Sequence, residues 1–261
     1  MDLITVAKEA ALEAGALLKQ GFKTTYDIQA KEGQHNLVTE YDFSSQKLII
    51  DLIKGHFPHH HFIAEEENIQ DTPSDEIIWI IDPLDGTVNF AHGIPFFSVS
   101  IAAARGEQLL AGAVYNPLLD ELFLAEHGGG AYLNGERLAV TDQSSFEKAI
   151  FATGFPYNVG ENPLHCIERF AKMVNLGIPI RRLGVASLDL AFVAAGRFDV
   201  FWEVGLEPWD MAAGKLLVEE AGGKVSLYDG TMRTLYQYLP TLATNGDLHE
   251  QLVSYLKEDL Q

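Results

Sequence analysis

The chain predicts a layered α/β fold, and three stretches of its 261 residues carry that reading. Amphipathic helical patterns occupy the N-terminal region. A strand-rich block follows from Ile77 to Val140. Beyond about residue 145, helices and strands alternate. No internal repeat, low-complexity tract or long linker interrupts the pattern. A chain of this length buries a large core, as one domain or as two closely joined halves.

Taken in order, Leu3 to Phe22 reads as an amphipathic helix, with Leu3, Ala7, Ala10, Ala14, Leu17 and Leu18 at helical spacing. Tyr26 to His35 is polar. A second helix is expected from about Phe43 to Phe57, with Leu48, Leu52 and Ile53 inward. Short strands are expected at Phe62–Ala64, Ile77–Ile81, Val99–Ala104, Leu109–Tyr115 and Glu121–Ala125. Asn134-Gly135 signals a hairpin turn. The later region predicts strands at 149–153, 198–203 and 241–244, and helices at 164–175, 187–195, 211–221 and 247–256. Gly222-Gly223 suits the C-terminal end of the third of these helices.

The most informative segment is Ile-Trp-Ile-Ile-Asp-Pro-Leu-Asp-Gly-Thr-Val-Asn-Phe, residues 78–90. An apolar run stops at Asp82-Pro83-Leu84-Asp85-Gly86-Thr87. Pro83 fixes φ and is expected to end regular pairing, and Gly86 permits a turn that other residues resist. Two carboxylates are thus delivered to the end of a strand. Carboxylate and carbonyl oxygens are the ligands that Mg²⁺ and Mn²⁺ select. Two such ions roughly 3.5–4 Å apart clamp the attacking and leaving oxygens of a phosphoryl group. Asp, Pro and Gly also make an ordinary turn. Against that reading stand further acids at the ends of other apolar segments: Glu65, Glu66 and Glu67 after Phe62-Ile63-Ala64, Asp42, and Glu203, Glu207 and Asp210 after Val200-Phe201-Trp202.

Phe62–Glu66, Trp79–Phe90 and Trp209-Asp210-Met211-Ala212-Ala213-Gly214 resemble, in this order and spacing, the signatures of the inositol monophosphatase family. The resemblance spans essentially the whole chain. It implies an αβαβα sandwich of the inositol monophosphatase/fructose-1,6-bisphosphatase type. An N-terminal half, 1–145, would carry most metal ligands. A C-terminal half, 146–261, would carry the Trp-Asp motif and pocket residues, with the active site between them.

By the same resemblance, Glu65, Asp82 and the carbonyl of Leu84 would hold one Mg²⁺, and Asp82, Asp85 and Asp210 a second. A weaker third would sit near Glu65. Mn²⁺ is an expected substitute, and Li⁺ and Ca²⁺ are expected inhibitors. Glu66 and Glu67 would face away or support the ligands. Thr87 would activate water and pass a hydrogen bond to Asp42 as proton sink; the same pair also reads as a helix cap and a surface acid. Asp85, Gly86, Thr87, Gly184, Ala186, Ser187, Glu203 and Asp210 would line the substrate pocket, and Lys31 would lie in a loop near it. Asp210 is also expected to open the helix that follows, where an acid makes a good N-cap. Glu207 stands where animal members have histidine, which leaves polyol preference open.

The expected reaction is hydrolysis of an inositol monophosphate or related polyol phosphate. No Cys-x₅-Arg loop or Walker P-loop supports another route. Fructose-1,6-bisphosphate, a 3′-phosphoadenosine nucleotide, NADP or histidinol phosphate are the alternative substrates. Val88 stands where many nucleotide- or histidinol-type relatives carry a basic residue, which favours the monophosphate. Arg181 and Arg182 are the nearest groups for a second phosphate, though similar arginines lie at the dimer interface of bacterial members, and a homodimer is expected. A non-catalytic scaffold on the same fold is the remaining alternative.

The net charge of −19 argues against a general nucleic-acid or anionic-membrane binder. The single cysteine, Cys166, permits no intramolecular disulfide and fits a cytoplasmic protein. No basic leader precedes an apolar stretch, and no apolar run reaches membrane-spanning length. His56, His59, His60 and His61 look like a zinc cluster but are expected to form a surface loop around Pro58. Gly128-Gly129-Gly130 is read as a turn.

Overall fold

In the computed structural model, residues 1–24, 28–30, 37–66, 69–70 and 75–257 are described. The apolar runs become two sheets. The larger is built from β3 (His61–Ala64), β4 (Ile69–Gln70), β5 (Ile77–Asp85), β6 (Ser98–Arg105), β7 (Gln108–Asn116), β8 (Glu121–Glu126), β9 (Gly130–Leu133) and β10 (Glu136–Arg137). Its spatial order is β10-β9-β8-β7-β6-β5-β3-β4. A separate small ribbon joins β1 (Ile28–Ala30) to β2 (Leu37–Thr39). The second sheet runs β12-β11-β13-β15-β14, from β11 (Phe151–Thr153), β12 (Ile180–Arg181), β13 (Val200–Leu206), β14 (Lys224–Ser226) and β15 (Leu239–Thr244).

The helices form three layers around these sheets. On the outer face of the larger sheet lie α1 (Leu3–Gly21) and α2 (Glu40–His56), sealed by Ala7, Ala14, Leu18, Ile49, Ile53, Trp79, Ile81 and Ile101. Between the sheets lie α5 (Ala186–Ala194) and α6 (Pro208–Glu220), packed against Ile78, Ile80, Ala102, Phe123 and Phe201. Beyond the second sheet lie α4 (Cys166–Val174) and α7 (His249–Lys257), with Phe151, Trp202, Val204, Leu242 and Leu252 between. This is the expected αβαβα sandwich. Strand β5 shows why its sequence is continuously apolar: Ile78 and Ile80 enter one core while Ile77, Trp79 and Ile81 enter the other.

Local chemistry accounts for the helix boundaries. Asp2 caps α1 by accepting from the Thr5 N–H at 3.0 Å. Helix α2 starts at Glu40, three residues before the expected position, because Thr39 and Asp42 form a capping box. Its buried stripe is also displaced. Ile49, Ile50 and Ile53 face inward while Leu48 and Leu52 lie at its flank, and the stripe continues towards the N-terminus through Gln46, Ser45 and Asp42. Apolar burial thus gives way to buried polar groups as the helix approaches the candidate site. Helix α6 begins at Pro208 with Glu207 as N-cap, so Asp210 occupies the third helical position rather than the cap. Helix α4 begins at Cys166, not Leu164, because Asn162, Leu164 and His165 all have positive φ. The Asn134-Gly135 turn, with φ of 50° and 88°, joins β9 to β10 as expected.

Trp79 is fully buried, and its Nε1–H donates to Nδ1 of His60 at 3.0 Å. His60 in turn stacks on Phe57 at 4.5 Å between ring centroids. The histidine run is therefore partly tied into packing, and His61 pairs with Glu76 at 2.7 Å. Trp79→Ala is expected to cost about 3–5 kcal/mol through the cavity it leaves. Urea unfolding checks this; a loss below about 1 kcal/mol would mean the site collapses freely around the missing ring.

Candidate active site

The site grows from the end of β5. Asp82 pairs with Ser100 of β6 and Asp85 with Ser98, so three steps on β5 face two on its neighbour. One residue is bulged out. Pro83 does not end the strand, as its missing N–H suggests it should; the bulge absorbs it and pairing resumes at Asp85. Ser45 of α2 braces the bulge by donating to the Pro83 carbonyl at 2.8 Å. Asp82 turns back onto its own strand and accepts from the Leu84 N–H at 3.0 Å. Gly86 then takes φ 91°, where a side chain would be strained and a Cβ would lie 2.8 Å from Cγ2 of Val185. It caps a short helix, α3 (Thr87–Ala91). Neighbouring β3 is parallel to β5, so its C-terminal end delivers Glu65 beside Asp82, with the Glu65 N–H bonded to the Ile81 carbonyl at 3.2 Å.

Thr87 and Asp42, 45 residues apart, meet in this corner. Thr87 Oγ1 lies 2.9 Å from Asp42 Oδ1 and 3.0 Å from the Leu84 carbonyl, and its single proton serves one of them at a time. The other Asp42 oxygen accepts from Thr39 N–H at 2.7 Å and Thr39 Oγ1–H at 2.6 Å. Asp42 is fully buried, and burial pushes its carboxyl up to about 6 despite the bonds from Thr39 and Thr87. A group so placed can take and return a proton near neutral pH.

The C-terminal half closes the other side. Asp85 Oδ2 accepts from Ser187 N–H at 2.7 Å and Ser187 Oγ–H at 2.6 Å, tying β5 to the start of α5. Ser187 Oγ also lies 2.7 Å from Ser98 Oγ. Asn89 of α3 donates to the Leu183 carbonyl at 2.9 Å, which holds the Gly184 turn against the site. Ala186 opens α5 beside it. Asp210 accepts from the Glu207 N–H at 2.8 Å, and Ser100 donates to the neighbouring Trp209 carbonyl at 3.2 Å. Glu203, on β13, lies against Gly154, where any Cβ would overlap its carboxylate.

The inositol monophosphatase family profile matches residues 1–261. The chain belongs to the inositol monophosphatase family. It is 39% identical over 252 residues to an inositol-1-monophosphatase of Caulobacter vibrioides, covering 95% of this chain and 98% of that protein. It is 42% identical over 229 residues to the Nus factor SuhB of Escherichia coli K12, covering 87% and 86%. Among solved structures, an IMPase from Thermotoga maritima superposes with a TM-score of 0.89 at 34% identity, over 99% of this chain and 98% of that one. Family membership supports a metal-dependent phosphatase; the SuhB-named relatives leave the substrate open.

The electrostatics suit the family's cations. Burial raises Asp85 to about 6, with Glu65 adding to it against the Ser187 bonds. Asp82 is pushed well up by burial, then by Glu65, Asp85 and Asp210. Asp210 is raised by burial and by Asp85 and Glu65, and Glu203 rises to about 8, mainly through burial. Mutual repulsion among oxygen donors in a desolvated corner is the condition that a hard divalent cation relieves. In this conformation the carboxylates of Asp82, Asp85 and Asp210 are turned onto protein N–H and O–H donors. Correspondingly, no three acidic, histidine or cysteine side chains among the described residues converge on one cation position.

Glu66 is buried with its backbone clasped by the Gln46 amide at 2.6 and 2.9 Å. Glu67 and Lys31 lie outside the described residues. Sequence reasoning passed over Asp189 on α5. It is 1% exposed, its Oδ1 has no hydrogen-bond partner among the described residues, and burial with Glu203 and Asp85 nearby pushes it well up. It carries no motif of its own; only the turn of α5 towards Glu203 reveals it.

Proposed function

We propose that the chain is a Mg²⁺-dependent phosphomonoesterase acting on inositol monophosphates and related polyol phosphates. The observation that carries this reading is the Thr87–Asp42 hydrogen bond at the end of β5, beside the acids Asp82, Asp85 and Asp210, which Glu65 and one another repel although they do not converge on one cation position in this conformation. Glu65, Asp82 and the Leu84 carbonyl would hold one cation, and Asp82, Asp85 and Asp210 another, with Mn²⁺ able to replace Mg²⁺. When bound, such cations lower the pKa of water and neutralise charge on phosphoryl oxygens. Thr87 Oγ1 orients the attacking water while donating to Asp42, and Asp42 takes up the proton. Backbone N–H groups of Gly86 and Thr87 face the phosphate. Gly184, Ala186 and Glu203 bound the space for the alcohol. In this reading residues 1–145 and 146–261 are the two functional halves, the assembly is a homodimer, and the cytoplasm is its compartment.

Phosphate release from inositol 1-phosphate, glycerol 2-phosphate, fructose 1,6-bisphosphate, 3′-phosphoadenosine 5′-phosphate, NADP and histidinol phosphate tests the reading, at several Mg²⁺ concentrations with and without lithium. Mg²⁺-dependent, lithium-suppressed turnover best on inositol 1-phosphate supports it. Preference for a bisphosphate or nucleotide would move the substrate. No turnover on any ester would sink it.

A pH experiment probes the cluster without turnover. Asp42 and Asp85 have folded-state values near 6, above the carboxylate value of 3.8. Folding therefore favours their protonated forms. That stability is complete below the unfolded value and is lost as pH rises through the folded one. Cation-free protein is expected to lose thermal stability between about pH 4 and 8, with Glu203, near 8, extending the window upwards. Millimolar Mg²⁺ competes with protons, so its gain in Tm is expected to be larger at pH 8 than at pH 5.5. An equal gain at both would place the cation elsewhere.

A further inference from the structure

Strand β13 presents alternate residues to opposite sides. Val200, Trp202 and Val204 pack towards α4 and α7, while Phe201 packs towards α5 and α6. Glu203 follows Phe201 in that alternation; beyond it the pairing of β13 with β15 shifts register between Glu203 and Leu206, and Leu206 joins the core of Phe201. Gly205 leaves bare backbone there, and the Tyr238 ring fills the space. A Cβ on Gly205 would lie 2.1 Å from Cζ and 2.3 Å from the hydroxyl oxygen of Tyr238. The ring is thereby laid across the strand between Glu203 and Glu207 rather than left free at the surface.

Tyr238 nevertheless remains 53% exposed, and its hydroxyl makes no hydrogen bond among the described residues. Its neighbour Tyr236 differs: its hydroxyl donates to the Gly106 carbonyl at 2.6 Å. Tyr236 is anchored as structure, whereas Tyr238 keeps an unpartnered polar tip and an exposed ring over Gly205, two residues from Glu203 and from Glu207. The charged groups bearing on that hydroxyl are acidic: Glu203, Glu207 and Asp210. Burial and these acids hold the phenol in its protonated form. Arg233 is spent on the Leu206 and Thr234 carbonyls and on Thr241, and Arg182 bears on Glu203.

We propose that Tyr238 determines specificity on the alcohol side of the pocket, its ring and hydroxyl selecting an uncharged, hydroxyl-bearing leaving group over one that carries a second phosphate. A ring face packs against the C–H face of a polyol, and a phenol donates to or accepts from its hydroxyls. Neither the ring face nor the hydroxyl supplies the cationic partner that a second phosphate needs. The inference rests on the phosphomonoesterase reading and deepens it by assigning the substrate-selecting residue.

The test compares wild type, Tyr238→Phe and Tyr238→Ala on inositol 1-phosphate, glycerol 2-phosphate and fructose 1,6-bisphosphate at saturating Mg²⁺. For Tyr238→Ala, kcat/KM on inositol 1-phosphate is expected to fall about 10-fold or more, chiefly through KM, with glycerol 2-phosphate changed by less than about 3-fold. The preference for inositol 1-phosphate over the bisphosphate is expected to narrow by a similar factor. Tyr238→Phe keeps the ring and is expected to lose only the hydroxyl's share, and it answers the question should the alanine variant fold poorly. Equal losses on all three esters, or none, would overturn the assignment while leaving the phosphatase reading intact. Wild type inactive on every ester would overturn both.

Discussion

Asp210→Asn is expected to lower kcat/KM by roughly 10³-fold, about 4 kcal/mol of transition-state stabilisation, while leaving the protein folded. The asparagine Oδ1 can still accept from the Glu207 N–H, so the start of α6 keeps its cap. What disappears is a negative charge that Asp85 and Glu65 repel. The cation-free variant is therefore expected to melt at or above the wild-type temperature, and its Mg²⁺-induced gain in Tm is expected to shrink. Loss of activity with gain of apo stability is a signature that a general packing defect cannot produce. Retained kcat with an unchanged Mg²⁺ response would remove Asp210 from the proposed ligand set.

Thr87→Ala is expected to reduce kcat by about 10²–10⁴-fold, the range for removing a proton-transfer group, with KM and Mg²⁺ affinity near wild type. Thr87 touches Asp42 and the Leu84 carbonyl through one hydroxyl, so truncation removes the link and leaves the backbone of α3 in place. Thr87→Ser retains Oγ and is expected to recover most of the rate. An alanine variant within about 10-fold of wild type would show that water is activated without this hydroxyl. Asp42 is a poorer probe. One of its oxygens also caps α2, so Asp42→Ala mixes chemistry with a loss of about 0.5–2 kcal/mol from the cap.

The layers were readable because the apolar periods of β5, α1 and the C-terminal elements match the cores they enter. Element ends were less so. The position of α2 depended on a capping box rather than on its apolar stripe, and β5 passed through Pro83 because a bulge on one strand is set by its partner, not by local sequence. In the site, residues embedded in motifs could be named: Asp82, Asp85, Thr87 and Asp210. Asp189, Arg233 and Tyr238 could not, since each is an ordinary residue until the fold brings it beside Glu203, Asp210 or Gly205. The apparent histidine cluster resolves through a partner 19 residues away, Trp79, which no local pattern announces.

The larger sheet is complete once β10 ends at Arg137, yet one of its faces is covered by α5 and α6, which end at Ala194 and Glu220. On a ribosome making roughly 5–20 residues per second, the face bearing Ile78, Ile80 and Phe123 therefore waits on the order of 4–16 seconds for its cover. The nascent chain passes through an interval in which a broad apolar sheet is formed or forming without its lid. Synthesis rate and chaperone supply during that interval, rather than the stability of the finished sandwich, then set how much chain reaches the native state.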